Sequence, residues 1–320
     1  MQVVEYHAGL RADWEAFAAV ATTQSFLFQR TYLDHHADRF RDASLLLYDD
    51  RARPVALLPA NRDGAALHSH QGLTYGGLLT HGLSTPRVAA CYNAVVAWAT
   101  AAGIERLTVR PAPHIYRAVS DEAELYCLFR LGATLSGRQL ATVLAPAAAP
   151  PLTAGRREGL RKATRLGFAV QEAADLGAFW PVLTATLRAR HDAAPVHTLA
   201  EMELLRARFP AQIRLHLVRD AAGAVVAGGV LYNTPYVARA QYLAATPAGR
   251  AGGALDLLLS HLIGETYAAR RYLDLGTSNG RPGQALNYGL LFQKEGFGGR
   301  GVCYDTYSLD LSKAGRVEEP

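Results

Sequence analysis

The sequence predicts two tandem copies of one mixed α/β domain, and three observations carry that reading. Short segments recur at a nearly constant offset. Residues 8–14 match 174–180 and residues 107–110 match 273–276, both 166 apart, while Tyr75 and Tyr242 are 167 apart and Gly132 and Gly296 are 164 apart. Strand-like and helix-like stretches follow one another in the same order in each half. Between the halves, Ala145-Pro146-Ala147-Ala148-Ala149-Pro150-Pro151 reads as a short, stiff, extended linker. The expected limits are 1–145 for the first domain, 146–152 for the linker and 153–320 for the second domain. A length of 320 residues suits two domains.

In the first copy, residues 14–21 have helical spacing and 32–41 read as a second helix. Residues 44–48 and 54–60 make a hairpin about Asp49-Asp50-Arg51, and 68–79 form a further strand region. A helix over 85–102 has Pro86 in its first turn and Gly103 closing it. A strand at 104–110, a helix at 123–131 and a strand at 139–144 complete the copy. The second copy begins with a strand at 167–172, a helix at 179–191 and another within 197–209. Strands at 213–219 and 224–232 turn about Asp220-Ala221-Ala222-Gly223, and 236–245 is the next strand. A Gly-containing loop at 247–253 leads to a helix over 254–269, a strand at 271–276, a helix at 285–295 and a closing strand at 302–311.

Composition narrows the function. Half the residues are apolar and 19% are charged, which excludes global disorder. No apolar run reaches bilayer-spanning length and the first fifteen residues hold no apolar signal core, so a cytoplasmic protein without membrane insertion is expected. Cys91, Cys127 and Cys303 are too scattered for a disulfide framework or a common zinc site, and each is expected to be a small buried hydrophobe. His35-His36 with Asp38 reads as a surface or interface feature rather than a metal site; no metal is expected. The net charge is +5, and Lys162, Lys294 and Lys313 are the only lysines among 33 basic residues. That balance permits an anionic ligand without requiring nucleic acid. HExxH and EF-hand patterns are missing.

Several groups are candidates for chemistry. The stretch Thr246-Pro247-Ala248-Gly249-Arg250-Ala251-Gly252-Gly253-Ala254 lies between a strand and a helix. It is either an ordinary capping loop or a cradle in which Gly252 and Gly253 let a pyrophosphate approach the backbone and Arg250 adds charge-assisted bonds. His191 and His197 bracket a loop broken by Pro195, where one could accept a proton from an amine or serve as a cap or core histidine. His70 and Tyr75 belong to a polar stretch ending in Gly76-Gly77, read either as a wall of an acceptor pocket or as an edge strand and turn. Asp274, inside a strand, could act as a base or pair with an arginine. Ser278 follows at that strand's C-terminal end, where α/β sheets often place ligands. Arg157, Arg161 and Arg165 ridge one helix face, as a phosphate or RNA contact or a solvated surface. Trp14, Trp98 and Trp180 fit a core.

The segment Phe292-x-x-x-Gly296-Phe297, with Asn287 upstream, resembles the helix end Tyr-x-x-x-Gly-Phe of GNAT acyltransferases, with Phe292 replacing the tyrosine. Tyr288 or Tyr304 would then have to supply an acid. Several segments together resemble the Fem-like, tandem-GNAT acyltransferases found with polysaccharide biosynthesis genes. They are Ser25-Phe26-Leu27-Phe28-Gln29-Arg30, the run from His68 to Leu78, His191-Asp192-Ala193-Ala194-Pro195-Val196-His197, the run from Tyr272 to Ser278, and the run from Leu286 to Arg300. The resemblance implies two GNAT-like domains, each a mixed, mostly antiparallel sheet flanked by helices. It also implies transfer of an acyl group from acyl-CoA to a small amine such as an amino sugar or amino acid. Aminoacyl-tRNA is the alternative donor, and a non-catalytic ligand-binding tandem domain the alternative role. On this reading the strand at 236–245 lies along the donor arm, a backbone N–H near Tyr242 polarises the carbonyl, and His191, His197 or Asp274 takes the proton. Arg250, Gly252, Gly253 and Asn287 hold the donor; His70, Tyr75 and Ser278 meet the acceptor. A homo-oligomer is compatible with all of this.

Overall fold

The computed structural model describes residues 1–191, 193–279 and 285–318, with the side chains of residues 190 and 191 left aside. Contacts divide the chain into two compact units. Among the described residues, one comprises 1–139 with 303–318 and the other comprises 140–279 with 285–302. These are not the two consecutive segments expected at 1–145 and 153–320. The strand Thr134–Leu144 gives its end, 141–144, to the second unit by pairing with Tyr272–Thr277. The strand Arg300–Asp310 gives residues 307–310 to the first unit by pairing with Arg106–Val109. Those two strands lie 166 positions apart, so the repeat of the sequence is a repeat of elements.

In the first unit, Gln2–Glu5, Leu45–Tyr48, Pro54–Leu58 and Leu79–Thr80 form an antiparallel sheet. The hairpin expected about Asp49 is present, with Leu45 opposite Leu58. A second set of strands runs from 307–310 through Arg106–Val109, Ala66–His68 and Asn61–Asp63 to Arg41–Asp42. Ala66–His68 and Arg106–Val109 are parallel, and the rest of this set is antiparallel. The helix Thr85–Ala101 buries Val88, Cys91, Tyr92 and Val95 in a core shared with Leu45, Leu67, Leu107 and Leu128. Thr85–Ala101 has Pro86 in its first turn, and Gly103 follows it with φ +70°, as its sequence position requires.

The second unit is an antiparallel meander of Ala169–Ala173, Ile213–Arg219, Val225–Asn233 and Val237–Ala245. Tyr272–Thr277 then joins in parallel, because a helical crossover separates it from Val237–Ala245. Helices Trp180–His191 and Leu199–Arg208 and helices Ala154–Arg165 and Ala254–His261 complete the layers, with Leu258, Leu259 and Leu262 against Val226, Ala238 and Leu273. Several local expectations change. Residues 247–252 form a short helix, because Thr246 caps Gly249 N–H at 3.0 Å. The linker contains a helical turn at Pro146–Ala148. Residues 68–79 are mostly irregular, keeping only Ala66–His68 and Leu79–Thr80 as strands. Cys303 is exposed, unlike Cys91 and Cys127. His36 is buried among Tyr32, Phe40 and His70 rather than lying at the surface. Among the described residues no helix is long and apolar enough to cross a membrane.

Candidate active site

The second unit's parallel pair is short. Val237, Ala238 and Arg239 face Tyr272, Leu273 and Asp274, and beyond that point the two strands have no further register. The edge of residues 240–245 is therefore unpaired by any strand among the described residues, while its other edge stays paired to Val225–Asn233. A bulge sharpens the parting. Val230 faces Tyr242 and Leu231 faces Ala240, so Gln241 is the extra residue. An unpaired edge presents main-chain N–H and C=O groups to whatever enters beside it.

What lies beside it is a cleft of about 290 Å³. One wall is Arg239, Ala240, Gln241, Leu243, Ala244 and Ala245; the other is Leu275, Gly276 and Thr277. Thr186 and Leu187, Leu255 and Leu259, and Leu290, Gln293 and Lys294 close it from three helices. Arg250 also lines it, and its guanidinium donates to the Ala245 carbonyl at 2.6 Å. Thr186 donates to the same carbonyl at 3.1 Å. The strand end is thus held where the short helix begins.

Where the strands part, three charged groups converge. Asp274 is fully buried; it accepts from Gly276 N–H at 2.7 Å and lies 3.6 Å from Arg239. Of the two readings of Asp274, the structure shows the arginine pair. Lys294, also buried, donates to the carbonyls of Gly276 and Thr277, each at 2.8 Å. Burial lowers its pKa to about 8, with Asp274 opposing that shift and Arg239 adding to it. A neutral lysine has two N–H donors and one lone pair. The two carbonyls engage two donors, so loss of the third proton leaves a lone pair at the cleft.

The other candidates lie elsewhere. Tyr242 is absent from the cleft lining, because alternation turns its side chain to Trp180 and His197. Its hydroxyl lies 2.8 Å from His197 Nδ1, which ties both residues away from the cleft lining. His191 ends its helix and its side chain is outside the described residues. Gly252 and Gly253 are required for packing. A Cβ on Gly252 would strike Phe168, and one on Gly253, at φ +79°, would strike the carbonyl of Gly159. Asn287 caps its helix by accepting from Leu290 N–H at 3.0 Å. Ser278 is fully buried, with its N–H bonded to Leu140 and its Oγ unpaired among the described residues. In the first unit, His70 is buried beside His36 and Phe40, and burial lowers its pKa to about 4. Tyr75 stacks on Tyr116 at 4.3 Å, inside the core. Tyr304 belongs to that unit too and bonds Tyr116 at 3.0 Å. Tyr288 and Phe292 are 73% and 75% exposed, so neither furnishes an acid in the cleft. Arg161 and Arg165 pair with Glu158 on a solvated face.

Arg239, Gln241, Thr186, Gln293 and Lys294 were not singled out from the sequence. For Lys294 a signal existed: it is one of only three lysines in an arginine-rich chain. Arginine holds its proton at any accessible pH, whereas a buried lysine can release it.

Residues 154–283 match the family model described as an acetyltransferase (GNAT) domain. No curated protein matches the chain in sequence. Among solved structures it is similar to FemX, with TM-score 0.67 and 11% identity over 97% of each chain. It is similar to the C-terminal domain (DUF2156) of a putative lysylphosphatidylglycerol synthetase from Agrobacterium fabrum, with TM-score 0.60 and 12% identity over 93% of this chain and 91% of that one. It is also similar to a tandem GNAT protein from the clavulanic acid biosynthesis pathway, with TM-score 0.50 and 13% identity over 99% of each chain. The fold is therefore a tandem of GNAT-like domains, each with mixed sheets flanked by helices.

Proposed function

We propose that the chain is an N-acyltransferase whose second unit binds an acyl-CoA along residues 240–245 and passes the acyl group to a small amine. The observation that carries this reading is the unpaired strand edge opening onto a cleft that also receives Lys294. A pantetheine arm carries amide groups that can add to such an edge as a partial strand. Arg239 is matched by Asp274, whereas Arg250 bonds only a main-chain carbonyl and so leaves positive charge at the cleft, which suits the donor's phosphates.

The chemistry follows from the same groups. A main-chain N–H of the open edge polarises the thioester carbonyl. The amine nitrogen attacks the carbonyl carbon, a C–N bond forms and the C–S bond breaks. Lys294, neutral in part near pH 8, accepts the proton that the nitrogen sheds and returns it to the leaving sulfur. Arg239 and Asp274 position the Gly276 turn that Lys294 is bonded to.

The test is release of free thiol from acetyl-CoA and longer acyl-CoAs with a panel of small amines. The expected result is amine-dependent release that rises through about pH 8 in the wild type. No release from any acyl-CoA, with aminoacyl-tRNA consumed instead, would transfer the donor site to that substrate. Inertness toward both would leave a ligand-binding protein.

A further inference from the structure

The first unit has its own parallel pair, Ala66–His68 beside Arg106–Val109, with His68 opposite Thr108. Thr108 and Arg110 stand 166 positions before Asp274 and Gly276, so this is the first unit's counterpart of the point where the second unit opens its cleft. The main chain here is tied off. Ser69 N–H donates to Thr108, Gly76 N–H to Arg110, and Arg110 N–H to Ser69 Oγ at 2.8 Å. The donor-type edge is closed, yet a pocket of about 130 Å³ remains, lined by His68, Ser69, His70, Gln71, Thr108 and Arg110.

Arg110 is half-buried in that pocket, and its guanidinium has no hydrogen-bond or ion-pair partner among the described residues. Desolvation lowers its pKa, and no carboxylate among the described residues opposes that shift. The imidazole of His68 has no partner among the described residues either; burial and Arg110 disfavour its charged form and Asp63 favours it. The two fully buried arginines of the first unit are each paired with an acid, Arg30 with Asp34 and Arg117 with Glu124, and half-buried Arg62 bonds main-chain carbonyls. A desolvated guanidinium is costly without an acceptor, and its planar fork matches an oxyanion.

From this geometry we infer that the first unit binds a small molecule through one phosphoryl or carboxylate group, held by Arg110 with His68 and the polar rim of Gln71 and Thr108. The site lies at the C-terminal ends of two adjacent parallel strands, a common place for ligands. Its volume of about 130 Å³ suits one such group. The inference is independent of the transfer chemistry assigned to the second unit.

The test is a nitrogen-15 NMR titration of the His68 ring in the full-length protein, with the signal assigned through His68→Gln. Sulfate stands in for a phosphoryl group and acetate for a carboxylate. A saturable shift of His68, with its titration moved to higher pH, is expected from one of them; which one responds names the group. Arg110→Met should abolish the shift, and Arg110→Lys should retain part of it. Far-UV circular dichroism and thermal melting must show both variants folded. Absence of a saturable response to either anion would overturn the inference, as would an undiminished response in folded Arg110→Met.

Discussion

The two units share an order of elements and differ at one strand. In the second unit Val237–Ala245 runs unbroken for nine residues and leaves its far edge free. In the first unit the corresponding stretch is cut into Ala66–His68 and Leu79–Thr80. The irregular chain between them turns inward, placing Tyr75 on Tyr116 and Ser69 on the neighbouring strand. One repeat therefore keeps an open edge, and the other fills that place with its own aromatic side chains and loop. A fold-level repeat is not a repeat of function; on the proposed reading, continuity of one strand decides which copy can receive an extended ligand.

The sharpest way to break this comparison is to remove the group found only in the second unit. Lys294→Met should lower kcat by roughly 10²-fold or more with little change in donor KM, measured by thiol release. Lys294→Arg should not restore it, since a guanidinium keeps its proton. The wild type should gain rate through about pH 8 while the residual rate of the variant stays flat there. Lysine depressed on folding also has a stability signature. The unfolded chain binds more protons between about pH 8 and 10.5, so stability rises with pH across that window, and Lys294→Met should remove that rise.

A second variant converts the open cleft toward the filled one. Gln293 lines the cleft and is only half-buried, so Gln293→Trp can occupy space without disturbing the core. A rise of roughly tenfold in donor KM with a smaller change in kcat is expected, and an unchanged KM would place the donor elsewhere.

Glycines separate packing from conformation. Gly253→Ala adds a clash with the Gly159 carbonyl to an unfavourable φ of +79° and should cost about 3 kcal/mol in denaturant unfolding. Gly103→Ala, at φ +70° with open space around it, should cost about 1 kcal/mol. Equal costs would refute the packing role of Gly253.

A further effect concerns acid. His70 in one unit and His216 in the other are buried and held neutral, each with its pKa lowered to about 4. The unfolded chain takes up those protons first, so stability falls as pH drops from about 6.5 toward 4. His216→Phe should flatten that fall by about half if the two histidines contribute alike.

Much of the fold was legible in the sequence, because apolar periodicity and punctuation survive thin identity. The hairpins, the Thr85–Ala101 helix and the 166-residue offset could be read directly. Strand exchange could not, since nothing in the local pattern of 134–144 or 300–310 says which sheet each end joins. The site was partly legible. The strand before Thr246 and the position of Arg250 just after it followed from strand-loop-helix order, and both line the cleft. The side chains of Tyr242 and Asn287 bond His197 and cap a helix, and a polar residue beside a ligand site has the same sequence signature as one in either of those roles. Lys294 escaped because its chemistry comes from burial and from two carbonyls of a distant turn.

The most direct test of the central claim is hydrogen exchange of the main-chain amides with and without acetyl-CoA. The account predicts slowed exchange confined to residues 240–245 and the neighbouring Gly276 turn, with the first unit's 69–78 stretch unchanged. Protection appearing in that first-unit stretch, or none at 240–245 under saturating donor, would contradict it.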